Sequence, residues 1–210
     1  MLVAILIALA SISAVLAVLA ASLNQRLTLY VFKPLTVVLI ILIALQSDYP
    51  VSSFYRQAIV AGLIFSLAGD IFLMLPQDRF LQGLISFLIA HLFYIAAFLS
   101  ESGRALFVWS LIPLLIYGVF MLSVLWPRLG KLKWAVIVYV LAILTMGWAA
   151  VSRWILTRQE GSALAMTGAL LFIASDSVLA LDRFKGRFRG AQFLILTTYF
   201  AAQLLIALST

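Results

Sequence analysis

The sequence predicts an all-α integral membrane protein, one bundle of about eight transmembrane helices in which residues 1–210 form a single membrane domain. Three observations predict it. Hydrophobic residues make up 66% of the chain and charged residues only 10%, whereas soluble domains carry about 25% charged residues. The apolar stretches are continuous and rich in Leu, Ala and Ile, unlike the alternating segments of about ten residues that build a β-barrel. Crossing a hydrocarbon core of roughly 30 Å takes about 20 residues of helix, so the chain suffices for eight passes with short connections and leaves no second domain.

Charged and Pro/Gly-bearing clusters divide the chain into helices near 2–20, 31–46, 57–76, 80–100, 105–126, 132–152, 162–181 and 190–209. The first has no Lys/Arg-bearing start and exceeds a usual signal-peptide core, so it reads as a membrane helix. The second opens at Lys33-Pro34-Leu35. In the third, Gly62, Ser66 and Asp70 recur every four residues and share one face, where small residues permit close helix approach. The fourth places Gly83, Phe87, His91, Tyr94 and Phe98 on a single stripe. Pro113 marks the fifth, with no counterpart in the first. Trp126, Trp134 and Trp154 fall near the ends of the fifth and sixth, and Tyr30, Tyr49 and Tyr55 near other ends, as suits amphipathic rings at the headgroup level. The seventh holds Ser175-Asp176. The eighth aligns Gln192, Tyr199 and Gln203, a polar stripe that belongs inside the bundle.

Lys and Arg, rather than net charge, set orientation. The first, third, fifth and seventh connections carry ten of the 14 cations (Arg26, Lys33, Arg79, Arg128, Lys131, Lys133, Arg183, Lys185, Arg187 and Arg189), and the others carry Arg56, Arg104, Arg153 and Arg158. Both termini are therefore expected on the non-cytoplasmic side. The formal charge of +7 is spread over short connections, which fits anionic lipid headgroups rather than nucleic acid. An internal repeat emerges from the polar residues: Gly69-Asp70 and Asp78-Arg79-Phe80 recur as Ser175-Asp176 and Asp182-Arg183-Phe184, and Tyr94-Ile95-Ala96-Ala97 as Tyr199-Phe200-Ala201-Ala202, at offsets of 104 to 106. A shift of four helices predicts parallel half-repeats, 1–104 and 105–210.

Seven carboxylates are present. Asp48, Asp78, Glu101, Glu160 and Asp182 lie in or beside predicted loops, whereas Asp70 and Asp176 fall about 9–10 Å inside their helices, counted at 1.5 Å per residue. An intramembrane carboxyl is costly without a polar cavity or partner, and two at matching positions of two half-repeats mark a functional centre. Gluing helices through Ser, Thr or Tyr is the bland alternative. Ser66, Ser175, Tyr94, Tyr199 and Gln203 supply the surrounding polar shell. His91, about 18 Å deep, is a weaker candidate for direct chemistry. Without cysteine there is no disulfide, iron–sulfur cluster or thiolate zinc site. One His and two Asp match the usual three-ligand zinc site poorly, and neither a Walker loop nor a GxSxG elbow occurs. Two carboxyls in one low-dielectric pocket resist simultaneous ionisation, so the pair offers an acid and a base. Such a pair suits reactions passing through an oxocarbenium-like cation, of which vinyl ether cleavage is one.

Lys33-Pro34-Leu35, Gly69-Asp70, His91-Leu92-Phe93-Tyr94 and Ser175-Asp176 with Leu179, in that order and spacing, resemble the YhhN-like family of membrane lysoplasmalogenases across nearly the whole chain. The resemblance implies hydrolysis of the sn-1 vinyl ether of lysoplasmenyl-ethanolamine or lysoplasmenyl-choline to a fatty aldehyde and a glycerophospho-base, without metal or organic cofactor. On that reading Asp70 and Asp176 carry the acid and base roles, Tyr94, Tyr199 and His91 orient them, and Lys33, Arg79, Arg183 or Lys185 hold the phosphate of a lysophospholipid drawn from the membrane. Two other classes compete. A proton-coupled transporter of lipids or small molecules would also use paired membrane acids, and a non-catalytic chaperone or sensor would tolerate their loss.

Overall fold

The computed structural model describes residues 1–46, 50–102 and 107–210; Asp48, Tyr49, Arg104 and the boundary between the expected half-repeats lie outside them. All secondary structure among these residues is helical: α1 (Leu2–Ser22), α2 (Arg26–Gln46), α3 (Ser53–Met74), α4 (Phe80–Ser100), α5 (Leu111–Leu125), α6 (Lys133–Thr157), α7 (Glu160–Ala180) and α8 (Ala191–Leu208). Short 3₁₀ turns flank α5, and a π-turn at Leu181–Lys185 ends α7. Among the described residues, eight helical segments are long and apolar enough to cross a membrane.

Each helix packs on its sequence neighbour in the pairs α1/α2, α3/α4 and α7/α8, and α6 lies on both α4 and α7. The core runs through α2, α3, α4, α6, α7 and α8; α1 and α5 are the least buried. Close approach of α3 and α4 depends on Gly62, where a Cβ would sit 2.3 Å from the Tyr94 ring. The expected stripes are the buried faces: Gly62, Ser66 and Asp70 on α3, and Gly83, Phe87, His91, Tyr94 and Phe98 on α4. On α8, Tyr199 and Gln203 are buried, and Gln192 sits exposed at the helix start.

Besides Gln192, expected inside the bundle, two expectations need correction. Helix α2 begins at Arg26, not near 31, so Lys33 and Pro34 lie two turns inside it. Proline is tolerated there because neighbouring helices can restore the lost backbone bonding of a membrane helix. Tyr55 is not an interfacial ring. It is fully buried with Arg153 stacked on it at 4.3 Å, accepting from Arg153 Nη1 at 2.8 Å and meeting Ser209 Oγ at 2.7 Å. Lys33 and Arg153 thus leave the loop tally, one from each side, and the charge bias keeps its sign. The ends of α1, α3, α5 and α7 and the starts of α2, α4, α6 and α8 form what we call the basic end.

The two Asp-Arg-Phe tripeptides meet at that end. Arg183 Nη2 donates to Asp78 Oδ2 at 2.6 Å, the guanidinium covers the Phe80 ring at 4.8 Å, and Phe80 and Phe184 pack edge to face at 5.6 Å. The bond from Arg183, and then that from the Phe80 amide, hold the exposed Asp78 carboxyl below its usual range.

Candidate active site

Five helices bring polar side chains to a common depth near the basic end: Lys33 from α2, Asp70 from α3, Tyr139 from α6, Asp176 from α7 and Tyr199 from α8. Counted along their helices from that end, Lys33, Asp70, Tyr139 and Asp176 lie about 6–10 Å inside. In hydrocarbon these groups are tolerable only if they satisfy one another or face water.

Asp70 is fully satisfied. Lys33 Nζ lies 2.9 Å from Oδ1, and the Tyr199 hydroxyl donates to Oδ2 at 2.7 Å. A hydrogen-bonded line continues behind Tyr199: Gln203 Nε2 donates to the Tyr199 oxygen at 3.1 Å, the Tyr94 hydroxyl donates to Gln203 Oε1 at 2.8 Å, and Ser66 Oγ stands 3.5 Å from the Tyr94 oxygen. The chain of donors runs toward the carboxylate, so each bond polarises the next. Of the expected shell, Tyr94, Tyr199, Gln203 and Ser66 form this line. Ser175 instead donates to the Ile195 carbonyl at 3.0 Å and clamps α7 to α8.

Asp176 is held differently. The Tyr139 hydroxyl donates to its Oδ2, and among the described residues no Lys or Arg is ion-paired with it. The sequence reading misses Tyr139, although a signal exists. Lys33 precedes Asp70 by 37 residues and Tyr139 precedes Asp176 by 37, so the 106-residue offset that superimposes the two Asp residues also superimposes Tyr139 on Lys33. At that offset a cation stands against a neutral phenol.

Both carboxyls line one cavity of about 1240 Å³, which we call the funnel and which opens among the loops of the basic end. Arg26, Lys33, Arg79, Arg183, Arg187 and Arg189 line it. Of the residues expected to hold a phosphate, Arg79 and Arg183 line the cavity, the latter bonded to Asp78. Lys33 faces Asp70, and Lys185 is exposed outside the lining, which instead includes Arg187 and Arg189. His91 lies behind the site, sandwiched edge-on between Tyr139 (5.1 Å) and Phe172 (4.9 Å), fully buried with neither ring nitrogen hydrogen-bonded. Among the described residues no three His, Asp or Glu side chains gather as a metal site.

The model of the YhhN family matches residues 28–210. The uncharacterized membrane protein YhhN of Escherichia coli is 32% identical over 181 residues, 86% of each chain. Two mammalian relatives are also similar. Lysoplasmalogenase TMEM86A of Bos taurus is 38% identical over 159 residues, covering 72% of this chain and 64% of its own; lysoplasmalogenase TMEM86B of Homo sapiens is 37% identical over 156 residues, covering 74% and 64%. No solved structure matches.

Proposed function

The chain belongs to the YhhN family, and from that premise we propose that it is a lysoplasmalogenase-type ether hydrolase, cleaving the sn-1 vinyl ether of lysoplasmenyl-ethanolamine or lysoplasmenyl-choline with Asp70 and Asp176 as its acid–base pair. One observation carries the reading: a buried and a partly buried carboxyl line the same water-reachable cavity, one matched to a lysine and the other only to a phenol. Lysoplasmalogenase names among the relatives support the substrate class.

The different partners assign different roles. Lys33 balances the charge of Asp70, which serves as the carboxylate, and Asp176, with no cation at hand, serves as the proton donor. Asp176 delivers its proton to the β-carbon of the vinyl ether, leaving an oxocarbenium ion at the α-carbon. Water adds there as Asp70 takes its proton, and a hemiacetal results. The hemiacetal hydroxyl proton passes to Asp176 while Asp70 protonates the departing glycerol oxygen, so the C–O bond breaks. One water is consumed, aldehyde and glycerophospho-base leave, and both carboxyls regain their starting states. Tyr199 and Tyr139 fix the carboxyl planes, and Arg79, Arg187 and Arg189 attract the phosphate. The depth of the carboxyls suits a lysolipid whose headgroup stays at the membrane boundary. By the loop charge bias that boundary is the cytoplasmic one.

Aldehyde release from lysoplasmenyl-ethanolamine by purified protein in detergent tests the proposal. Asp70→Asn and Asp176→Asn are expected to lower turnover by at least about a hundredfold, the usual scale for a lost acid–base group, in protein that still folds. Full activity in either variant, or no aldehyde from wild type, refutes it; a transporter yields none.

A further inference from the structure

A second, apolar cavity adjoins the funnel at Asp176. It lies between α5 on one side and α4 and α7 on the other, floored by α6, and shares Leu73, Phe80, Phe87, Asp176 and Leu179 with the funnel. Its origin is the loose attachment of α5. That helix touches α6 closely at Gly118, where a Cβ would fall 2.3 Å from Leu144 Cδ1, and is bonded to α7 by the Tyr117 hydroxyl donating to Ser177 Oγ at 2.7 Å. Elsewhere α5 buries only Met121 and Leu125. The resulting slot follows α6 from Val136 to Leu144, about 12 Å, and is walled by Leu84, Val140 and Ile173. Its volume, about 70 Å³ against about 1240 Å³ for the funnel, makes it narrow.

A narrow apolar slot meeting a basic funnel at one carboxyl has the shape and polarity of an amphiphile with an anionic head and one chain. We propose that the slot is the seat of the single hydrocarbon chain of a lysophospholipid, entering sideways from the bilayer past α5, and that its width selects one-chain over two-chain lipids. The chain lies along α6, the headgroup phosphate lies among Arg79, Arg187 and Arg189, and the first chain atoms lie at Asp176. The last placement rests on the hydrolase reading; occupancy of the slot does not.

Photolabelling separates the two. The probe is 1-O-alkyl-glycerophosphoethanolamine, whose saturated ether has no vinyl group, carrying a diazirine at mid-chain and added to the full protein in phosphatidylcholine nanodiscs. Cross-links are expected at Val140, Leu144 or Met121, displaced at least tenfold better by unlabelled alkyl-lysolipid than by diacyl phosphatidylethanolamine. Leu84→Trp, from the α4 wall, and Val140→Trp, from the α6 floor, should each abolish these cross-links; a thermal melt identifies any variant that fails to fold, and the other then decides. Labelling confined to the lipid-facing residues Ile116, Val119 and Phe120 of α5, equal displacement by the diacyl lipid, or unchanged slot labelling in a folded Trp variant overturns the proposal. Slot labelling without aldehyde release from vinyl ether substrate upholds the slot and overturns only the catalytic reading.

Discussion

Replacing Lys33 by Met separates a residue that holds Asp70 from one that holds substrate. The ion pair is 2.9 Å long, with side-chain exposures of 11% and 2%. At an effective dielectric near 20 its attraction is about 6 kcal/mol, largely offset by the several kcal/mol needed to desolvate each ion. Deleting one partner forfeits the attraction but keeps the other's desolvation, which typically costs about 3–5 kcal/mol. Lys33→Met should therefore lower the melting temperature in detergent by about 10 °C, at a few degrees per kcal/mol for a chain of this size. The double variant Lys33→Met/Asp70→Asn, which buries no charge, should regain most of that loss. Kinetics supply a second readout. Lys33 acting through Asp70 lowers kcat with KM little changed, whereas a phosphate contact raises KM at constant kcat. A Lys33→Met protein that melts with wild type, or a double variant whose loss is the sum of the singles, refutes the reasoning.

Tyr139→Phe removes the donor to the partly buried Asp176 carboxyl; kcat for aldehyde release should fall, and stability should drop by about 1 kcal/mol, the usual net worth of one hydrogen bond, in denaturant titrations. Gly62→Ala drives a methyl into the Tyr94 ring, so it should destabilise by about 1–3 kcal/mol and, by shifting Tyr94 off Gln203, reduce activity; a Gly62→Ala variant matching wild type in both would contradict the close α3–α4 contact. A periplasmically active reporter such as alkaline phosphatase, fused after Thr210, should be active if the basic end faces the cytoplasm, and inactive with the opposite orientation.

The fold is legible in the sequence because the bilayer leaves the backbone few options. Every peptide group in hydrocarbon must bond internally, so continuous apolar runs of about 20 residues declare themselves as spanning helices. The two key carboxyls are legible for a related reason, since an unpaired charge in a span is too costly to be incidental. Helical spacing also turns Gly62, Ser66 and Asp70 inward correctly. Partnerships are not legible. Lys33 beside Pro34 looks like a helix start at the headgroup level, and only the packing of α2 against α3 brings its ammonium to Asp70. Tyrosine serves equally as an interfacial ring and as a buried donor, so Tyr55 reads as the first when it is the second, and Tyr139 escapes notice. The slot beside α5 leaves no mark in the sequence, because Gly118 and Leu144 lie on different helices and their contact depends on how far α5 stands from its neighbours. Composition and periodicity fix which segments cross the membrane and which face of each is polar, being properties of one helix and its solvent. Pairings depend on the rotation and spacing of helices far apart in the chain, and those are decided by side-chain packing across the whole bundle.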